Sequence, residues 1–165
     1  MGRSIHTMGV FGSTRESFFN ALKNSGVTHF VDIRRRRGVR GSDYSYANSK
    51  QLQSSLMALN IEYRHNLELA PTAETRKSQA SADSISGQKK RSREFLTEEF
   101  CKLYSEETLI NFSPIAFLSS FPENSVIVLF CVEKNAAACH RSLVANAITH
   151  ASGIGWRDIP TEVET

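Results

Sequence analysis

One segment of the sequence combines several chemically active side chains at the start of a predicted helix. Residues 131–142 follow an apolar run typical of a strand, and they include Glu133 and the triplet Cys139-His140-Arg141. Cationic side chains in the first turn of a helix are unfavourable, because the helix dipole already places partial positive charge there. Such a conflict points to function, since a bound anion would offset both the cations and the exposed N–H groups. We therefore predict an anion site at this segment.

The same segment allows three kinds of chemistry. Glu133 can act as a general acid or base on a ligand whose phosphate is held by arginines. Cys131 or Cys139 can act as a nucleophile, because a helix N-terminus and nearby cations lower a thiol pKa. A cysteine that ends an apolar strand is, however, more often an inert buried thiol, which disfavours Cys131. Cys131, Cys139 and His140 can also ligate zinc, but we expect no metal, because a Cys-x-x-Cys pair and an evident fourth ligand are missing.

A basic segment follows the strand predicted at residues 28–33. It has five arginines within residues 34–40, interleaved with glycine, and Tyr44 and Tyr46 lie close behind. Guanidinium groups suit phosphate, and tyrosine rings suit stacking on a base or sugar. If the strand continues, Arg34 and Arg36 project to one face and Arg35 and Arg37 to the other, so that one pair at most lines the site. The alternative interpretation is a solvated basic loop or a targeting signal.

Two other strand ends carry weaker signals. Residues 9–14, Gly-Val-Phe-Gly-Ser-Thr, form a turn into a capped helix, and such a turn can present N–H groups to an anion. Two glycines without a full dinucleotide fingerprint equally fit a turn that needs small residues. His65 and Glu68 follow the third predicted strand, where loop residues often carry function but a single polar side chain is more often structural.

Alternating strand and helix patterns position these segments. Strands are predicted at residues 5–8, 28–33, 61–65, 126–131 and 156–159, with helices near 14–26, 48–59, 94–110, 115–121 and 139–153. The run 126–131 is apolar on both faces, which is typical of a central strand in a parallel sheet covered by helices. The alternation predicts a three-layer α/β fold with a mostly parallel sheet. Ligands bind beyond the carboxyl ends of the strands in such sheets, so the signals above converge on one edge.

Composition fits one globular domain over residues 1–165, because 40% of the residues are hydrophobic and 22% are charged. Residues 71–93 are rich in Ser, Ala, Gln and Lys, which predicts a mobile or weakly helical polar insertion. The net charge of +3 is weak evidence for a nucleic-acid partner. Three cysteines at irregular spacing, no apolar leader and no membrane-length apolar run predict a cytoplasmic protein that does not contact a membrane.

The motifs together resemble the bacterial and archaeal family catalogued as domain of unknown function 488. They occur in order along nearly the whole chain: His-Thr-Met-Gly at 6–9, Val-Asp-Ile-Arg at 31–34, Glu-Leu-Ala at 68–70, Cys-Val-Glu-Lys at 131–134 and Cys-His-Arg-Ser at 139–142. The resemblance implies the fold and a site that includes Gly9, Asp32, Arg34, Cys131, Glu133, Cys139, His140 and Arg141. Val10 departs from the His often found after the first Gly, and the arginine run resembles a basic subgroup. The resemblance implies no settled activity.

A strand ending in Val-Asp-Ile-Arg and a second strand ending in Cys are also similar to rhodanese-like sulfurtransferases and cysteine phosphatases. Those families place an arginine a few residues after the cysteine. Here Arg141 lies ten positions after Cys131. This departure makes a nucleophilic Cys131 doubtful.

We predict an arginine-rich cleft that binds a phosphate-bearing small molecule or nucleic acid, with hydrolysis or group transfer on that ligand as the further step. The predicted catalytic residues are Glu133 as acid or base, His140, and Asp32 as the group that orients an arginine. The predicted anion- and substrate-binding residues are Gly9, Arg34, Arg36, Arg40, Tyr44, Cys139 and Arg141. The alternatives are a thiol-dependent sulfur or phosphoryl transferase and a non-catalytic nucleic-acid-binding protein. We expect no cofactor, and the oligomeric state stays open.

Overall fold

A five-stranded parallel sheet forms the centre of residues 2–162, the part of the chain that this computed structural model describes, apart from the side chain of residue 90. The strands are β1 (Ser4–Met8), β2 (His29–Asp32), β3 (Glu62–His65), β4 (Val126–Phe130) and β5 (Trp156–Asp158). Their order is β3-β2-β4-β1-β5, and each neighbouring pair is parallel. The predicted α/β fold is confirmed. Positions 1 and 163–165 of the predicted domain lie outside the described residues.

β4 lies in the middle of the sheet, as its apolar sequence predicts. Ile127, Val128, Leu129 and Phe130 are completely buried. A strand between two parallel neighbours, with helices over both faces, has no water-facing side, so every position favours an apolar residue. The chain leaves this strand at Cys131, which places residues 131–134 at the carboxyl edge of the sheet.

Six α-helices flank the sheet within the described residues. They are α1 (Arg15–Asn24), α2 (Ser49–Ala58), α3 (Ala73–Ser86), α4 (Glu98–Glu107), α5 (Pro114–Ser119) and α6 (His140–Ser152). The N-cap of α1 is Thr14, whose side chain accepts from the N–H of Ser17. The neighbouring Ser13 hydroxyl donates to the Val10 carbonyl at 2.6 Å. No helix in this part of the chain combines the length and apolarity that crossing a bilayer requires.

The polar segment 71–93 contains α3, a 14-residue helix. Thr72 caps its N-terminus by accepting from the N–H of Thr75, and Gly87 ends it with a positive φ of 74°. Thr75 and Gln79 are buried, and the helix packs against α4. A segment with few apolar residues thus covers one side of the carboxyl edge, and its predicted mobility stays a prediction.

The loop after β1 supports the loop after β4. The N–H groups of Val10 and Phe11 both donate to the Val132 carbonyl, at 3.2 and 3.1 Å. Gly9 allows this approach, because a Cβ at its position would lie 2.0 Å from the carbonyl oxygen of Glu133. Gly9 therefore positions the chain around Glu133 by its lack of a side chain.

We expect Gly9→Ala to destabilise the fold by about 1–3 kcal/mol, the usual cost of overpacking a well-packed site. The added methyl meets backbone, which cannot rotate away, so the β1 and β4 loops must separate. Urea unfolding followed by circular dichroism measures the change in the free energy of unfolding.

Gly155→Ala is the matched control, because a Cβ there would meet no atom within 4 Å. Equal stability of the Gly9 and Gly155 variants would contradict the assigned role of Gly9.

Candidate anion-binding site

The two basic motifs of the sequence meet at one cavity of about 600 Å³ at the carboxyl edge of the sheet. Arg34, Arg35 and Arg36 enter it from the end of β2, and residues 131–133 enter it from the end of β4. Cys139 and His140 enter from the start of α6, while α3 forms a further wall. Neighbouring strands β2 and β4 bring these segments together, since parallel strands end at the same edge.

The cavity wall carries more positive than negative charge. Among the described residues, its arginines are Arg34, Arg35, Arg36, Arg76 and Arg93, and its carboxylates are Asp83 and Glu133. Arg93 contacts both carboxylates, with Nε 3.0 Å from Asp83 Oδ2 and Nη1 3.8 Å from Glu133 Oε1. The exposed Arg36 and Arg76 lie outside these ion pairs, so their charge faces solvent or a ligand.

Arg34 and Asp32 form a buried two-point ion pair under the cavity. Nε of Arg34 donates to Asp32 Oδ1 at 2.9 Å and Nη2 donates to Oδ2 at 2.8 Å, while the two side chains are 3% and 0% exposed. The guanidinium also lies over the Phe130 ring, 4.8 Å from its centroid. Nη1 of Arg34 is buried and has no hydrogen-bond partner. Among the described residues, the one other buried side-chain nitrogen or oxygen without a partner is Nε of Arg141.

Tyr63 completes the surroundings of Asp32. Its hydroxyl donates to Asp32 Oδ2 at 2.7 Å. Burial is the main reason that the pKa of Tyr63 rises to about 12, so the phenol stays a proton donor at neutral pH. Asp32 therefore holds Arg34 from a fixed position, which fits the orienting role that the sequence predicts for it.

Cys131, Cys139 and His140 form a compact cluster at the inner end of the cavity. One potential ligand atom from each lies within 4.8 Å of the other two, and all three residues are buried. Nδ1 of His140 is 3.9 Å from Cys139 Sγ, and its Nε2 lies 3.0 Å from the Ile33 carbonyl oxygen. The carbonyl fixes the ring, so the nitrogen that faces the sulfur is Nδ1.

The cluster favours a charged thiol and imidazole pair. Burial opposes a Cys139 thiolate, but a hydrogen bond with Cys131 and the charges of Arg141 and His140 outweigh it and hold the Cys139 pKa well below its ordinary value. Burial likewise opposes a charged His140, yet the Cys139 charge raises the His140 pKa. Both pKa shifts therefore favour a thiolate at Cys139, whose residue lines the cavity.

Glu133 stands between the thiol cluster and the arginines. Its side chain is 8% exposed, its Oε2 accepts from the Cys131 thiol at 3.4 Å, and its Oε1 faces Arg93. A carboxylate that lines a cavity beside a cation can exchange a proton with a bound ligand.

Arg141 lies beneath the cavity loop and does not line the cavity. It is completely buried, and it donates to the carbonyl oxygens of Glu133 at 2.6 Å and Lys134 at 3.2 Å. Its Nη2 also pairs with Asp158 at 3.4 Å. The charge of Arg141 is therefore offset by backbone carbonyls and Asp158, whereas the helix-dipole argument predicted that a bound anion offsets it.

Arg40 and Tyr44 also lie apart from the cavity lining. Arg40 is exposed, while the Tyr44 hydroxyl accepts from the N–H of Gly12 at 2.9 Å. Arg91 covers the Tyr44 ring with its guanidinium 5.3 Å from the centroid. The glycine turn after β1 thus contacts Tyr44, which lies apart from the arginines that follow β2 and line the cavity.

A separate cavity of about 670 Å³ lies beside the residues that follow β3. Glu68 and Glu107 line it, and no basic residue of the described chain does so. His65 does not line this cavity. It ends β3 beside β2, and its Nε2 lies 2.8 Å from the Arg34 carbonyl oxygen. The Glu-Leu-Ala motif therefore faces a different, acidic hollow.

Sequence reasoning missed the residues that α3 and its following loop supply. Arg76, Gln79 and Asp83 project from α3 into the cavity, and Arg93 follows. Thr72 provided the available signal, since a threonine N-cap before a segment that contains three alanines favours a helix. The low apolar content concealed it.

A family model described as "Domain of unknown function DUF488" matches residues 14–148. This match covers most of the 165 residues, so the chain belongs to this family, as the motifs indicated. The His-Thr-Met-Gly opening lies before the matched range, and the basic subgroup stays a prediction. Neither a curated protein nor a solved structure matches the chain.

We expect Asp32→Asn to destabilise the fold by about 3–5 kcal/mol, because it leaves the buried Arg34 charge without its counter-charge. Chemical denaturation at neutral pH measures the loss.

The chain provides a matched control in Glu62→Gln. Glu62 and Arg64 have the same spacing in sequence and the same 2.8 Å contact, but they are 54% and 33% exposed. Their pair is worth about 0–1 kcal/mol. Similar losses for both variants would show that burial of the Asp32 pair does not matter.

Proposed function

We propose that this member of the family binds a phosphate-bearing ligand, a nucleotide or a nucleic acid, in the arginine-lined cavity. The observation that carries the proposal is the excess of arginine around the cavity, with Nη1 of buried Arg34 unsatisfied among the described residues. Several like charges in one concave site repel each other unless an anion offsets them. A phosphate oxygen can accept from several guanidinium groups at once.

The size and walls of the cavity support a nucleotide-sized ligand. A volume of about 600 Å³ lies in the usual range for small-molecule sites. Leu96 and Phe100 add an apolar surface beside the arginines, which suits a base or sugar. Arg36, from the segment after β2, and Arg76, from α3, would hold the phosphate, and Arg34 would donate to it as well.

Processing of the ligand would rest on Glu133. Its carboxylate lines the cavity next to Arg93 and is within reach of a bound phosphate ester, so it is our candidate general acid or base. Protonated His140 would stabilise negative charge from the inner end, Cys139 would favour that protonated form by raising the His140 pKa, and Asp32 would orient Arg34. Arg141 and Gly9 would act indirectly by fixing the loop of Glu133, while Arg40 and Tyr44 would contact only a longer ligand.

We expect Arg36→Ala and Arg76→Ala each to weaken nucleotide binding roughly tenfold or more, because each removes a charge-assisted hydrogen bond worth about 1.5–3 kcal/mol. For a single-stranded oligonucleotide, each variant should also lower the slope of log affinity against log salt by about 1. Titration calorimetry with mononucleotides and fluorescence anisotropy with labelled oligonucleotides measure both effects.

Arg157→Ala is the control, since it removes an equal charge from an exposed position on β5 outside the cavity. Arg34→Ala is unsuitable, because it would leave Asp32 buried without its partner. In the same series, Glu133→Gln should keep binding and remove any turnover. Failure of the natural protein to bind either probe at low salt would overturn the proposal, and binding without turnover would leave a non-catalytic binder.

A second candidate function is a thiol-dependent sulfur or phosphoryl transferase, with Cys139 as the nucleophile. One observation favours it: the lowered pKa of Cys139, beside His140 and against the cavity. The structure favours Cys139 over Cys131 for this role, because His140 faces the Cys139 sulfur directly.

We expect Cys139 to be alkylated by iodoacetamide at a rate that is already constant below the free-thiol pKa of about 8.5. A lowered pKa means that the thiolate persists as pH falls, and the rate drops only once the pH passes that lowered pKa. His140→Gln should move the midpoint to higher pH, because it removes the charge that stabilises the thiolate. Peptide mass spectrometry of chelator-treated protein gives the rate at each cysteine.

Cys101 is the internal control. Burial, with a smaller effect of Glu98, raises its pKa, so its rate should still increase above pH 8.5. The transferase candidate would be excluded if Cys139 showed the profile of an ordinary thiol.

A further inference from the structure

We propose that Cys131, Cys139 and His140 form a zinc site at the inner end of the arginine-lined cavity. The proposal goes beyond ligand binding by the arginines and stands independently of it. It rests on the approach of two sulfurs and one imidazole nitrogen to within 4.8 Å of each other in a buried position. Two thiolates and an imidazole are ligands that zinc prefers.

The separations agree with a tetrahedral centre. Zn–S bonds of about 2.3 Å and Zn–N bonds of about 2.0–2.1 Å place neighbouring ligand atoms about 3.6–3.8 Å apart. Nδ1 of His140 and Sγ of Cys139 are 3.9 Å apart. All three separations are within 4.8 Å, so side-chain movements of up to about 1 Å would close the ligands around an ion.

The orientation of His140 supports ligation through Nδ1. Its Nε2 is 3.0 Å from the Ile33 carbonyl oxygen, so the ring donates a proton on that side, and the neutral ring directs a lone pair on Nδ1 at the cluster. A zinc-bound histidine commonly donates its other ring N–H to a backbone carbonyl in this way. The same contact fixes the tautomer that a metal requires.

The fold replaces the missing Cys-x-x-Cys spacing. Cys131 ends β4 and Cys139 immediately precedes α6, and Arg141 holds the intervening loop by bonds to two of its carbonyls. The cysteines are eight positions apart in sequence but adjacent in space. Proximity in the fold thus answers the spacing part of the sequence argument against zinc, and the cluster still has three protein ligands.

A fourth position of the site would face the cavity. All three ligands line the cavity wall, and Glu133 stands beside them with its Oε2 3.4 Å from Cys131 Sγ. Three protein ligands and an open position are the pattern of catalytic zinc, which polarises a bound oxygen. The substrate class is the same phosphate-bearing ligand if the proposed function holds.

Metal analysis of the full chain tests the site. The protein is purified under reducing conditions without chelator, stripped, and reloaded with Zn²⁺ or Co²⁺. We expect one zinc per chain and a thiolate-to-cobalt charge-transfer band in the near ultraviolet. Cys131→Ser and Cys139→Ser should each weaken zinc binding at least about 100-fold, since loss of an outer partner alone costs about 10- to 100-fold.

Cys101→Ser is the matched control, because Cys101 lies on α4 outside the cluster. It should retain one zinc per chain. Loss of zinc from this variant alongside the other two, or failure of the natural protein to take up one equivalent, would overturn the proposal. The proposal would also fail if the protein bound one equivalent of zinc but the cobalt-loaded protein showed no thiolate-to-cobalt charge-transfer band.

A readout on the natural protein covers the case in which the serine variants do not fold. Bound zinc should slow alkylation of Cys131 and Cys139 at least tenfold and leave Cys101 unaffected, because only the cluster sulfurs are occupied. Equal alkylation with and without zinc would overturn the proposal. Nucleotide binding is measured separately, so a zinc site without nucleotide binding refutes only the proposed function.

Discussion

The geometry of the site depends on the buried guanidinium of Arg141. It joins the carbonyls of Glu133 and Lys134 to Asp158 at the end of β5, and Gly9 permits the close approach of the β1 loop. A charged group without water needs acceptors at fixed positions, so this loop has little freedom. The loop carries Glu133 and connects both cluster cysteines. An arginine outside the cavity lining therefore holds the loop that brings the acid and the thiols to one cavity.

Two sets of charged residues at the cavity, an inner buried pair and two outer arginines, have different surroundings. Asp32 and Arg34 are buried together, so their charges are matched at a cost that only close pairing offsets. Arg36 and Arg76 are exposed and remain hydrated, which costs the fold little. In the proposed function, the inner pair would set the geometry of the site and the outer arginines would attract the ligand. An anion that enters would exchange the water around Arg36 and Arg76 for contacts with their guanidinium groups.

The sequence predicted those features of the fold and the site that follow from hydrophobic periodicity and from the residues at the strand ends. The apolar run of β4, the parallel sheet and the meeting of the arginine run with Cys139 and His140 at one edge follow from alternation and the strand-end rule. It did not show that Arg141 turns towards backbone carbonyls, since that direction depends on where the loop folds. The contribution of Arg76 was also hidden, because a polar helix that packs through few residues has no apolar period to detect.

The candidate chemistries of the cavity compete for the same sulfur. A Cys139 thiolate that binds zinc has shared its electron pair and is a weaker nucleophile, whereas a free one beside protonated His140 is a ready one. Zinc needs His140 neutral at Nδ1, but the transferase needs it charged. The arginines would suit either chemistry, because in both cases an anionic substrate would bring negative charge into the same cavity. If either proposal holds, the affinity of the cluster for zinc relative to its affinity for protons at neutral pH would decide between the metal site and the thiol nucleophile.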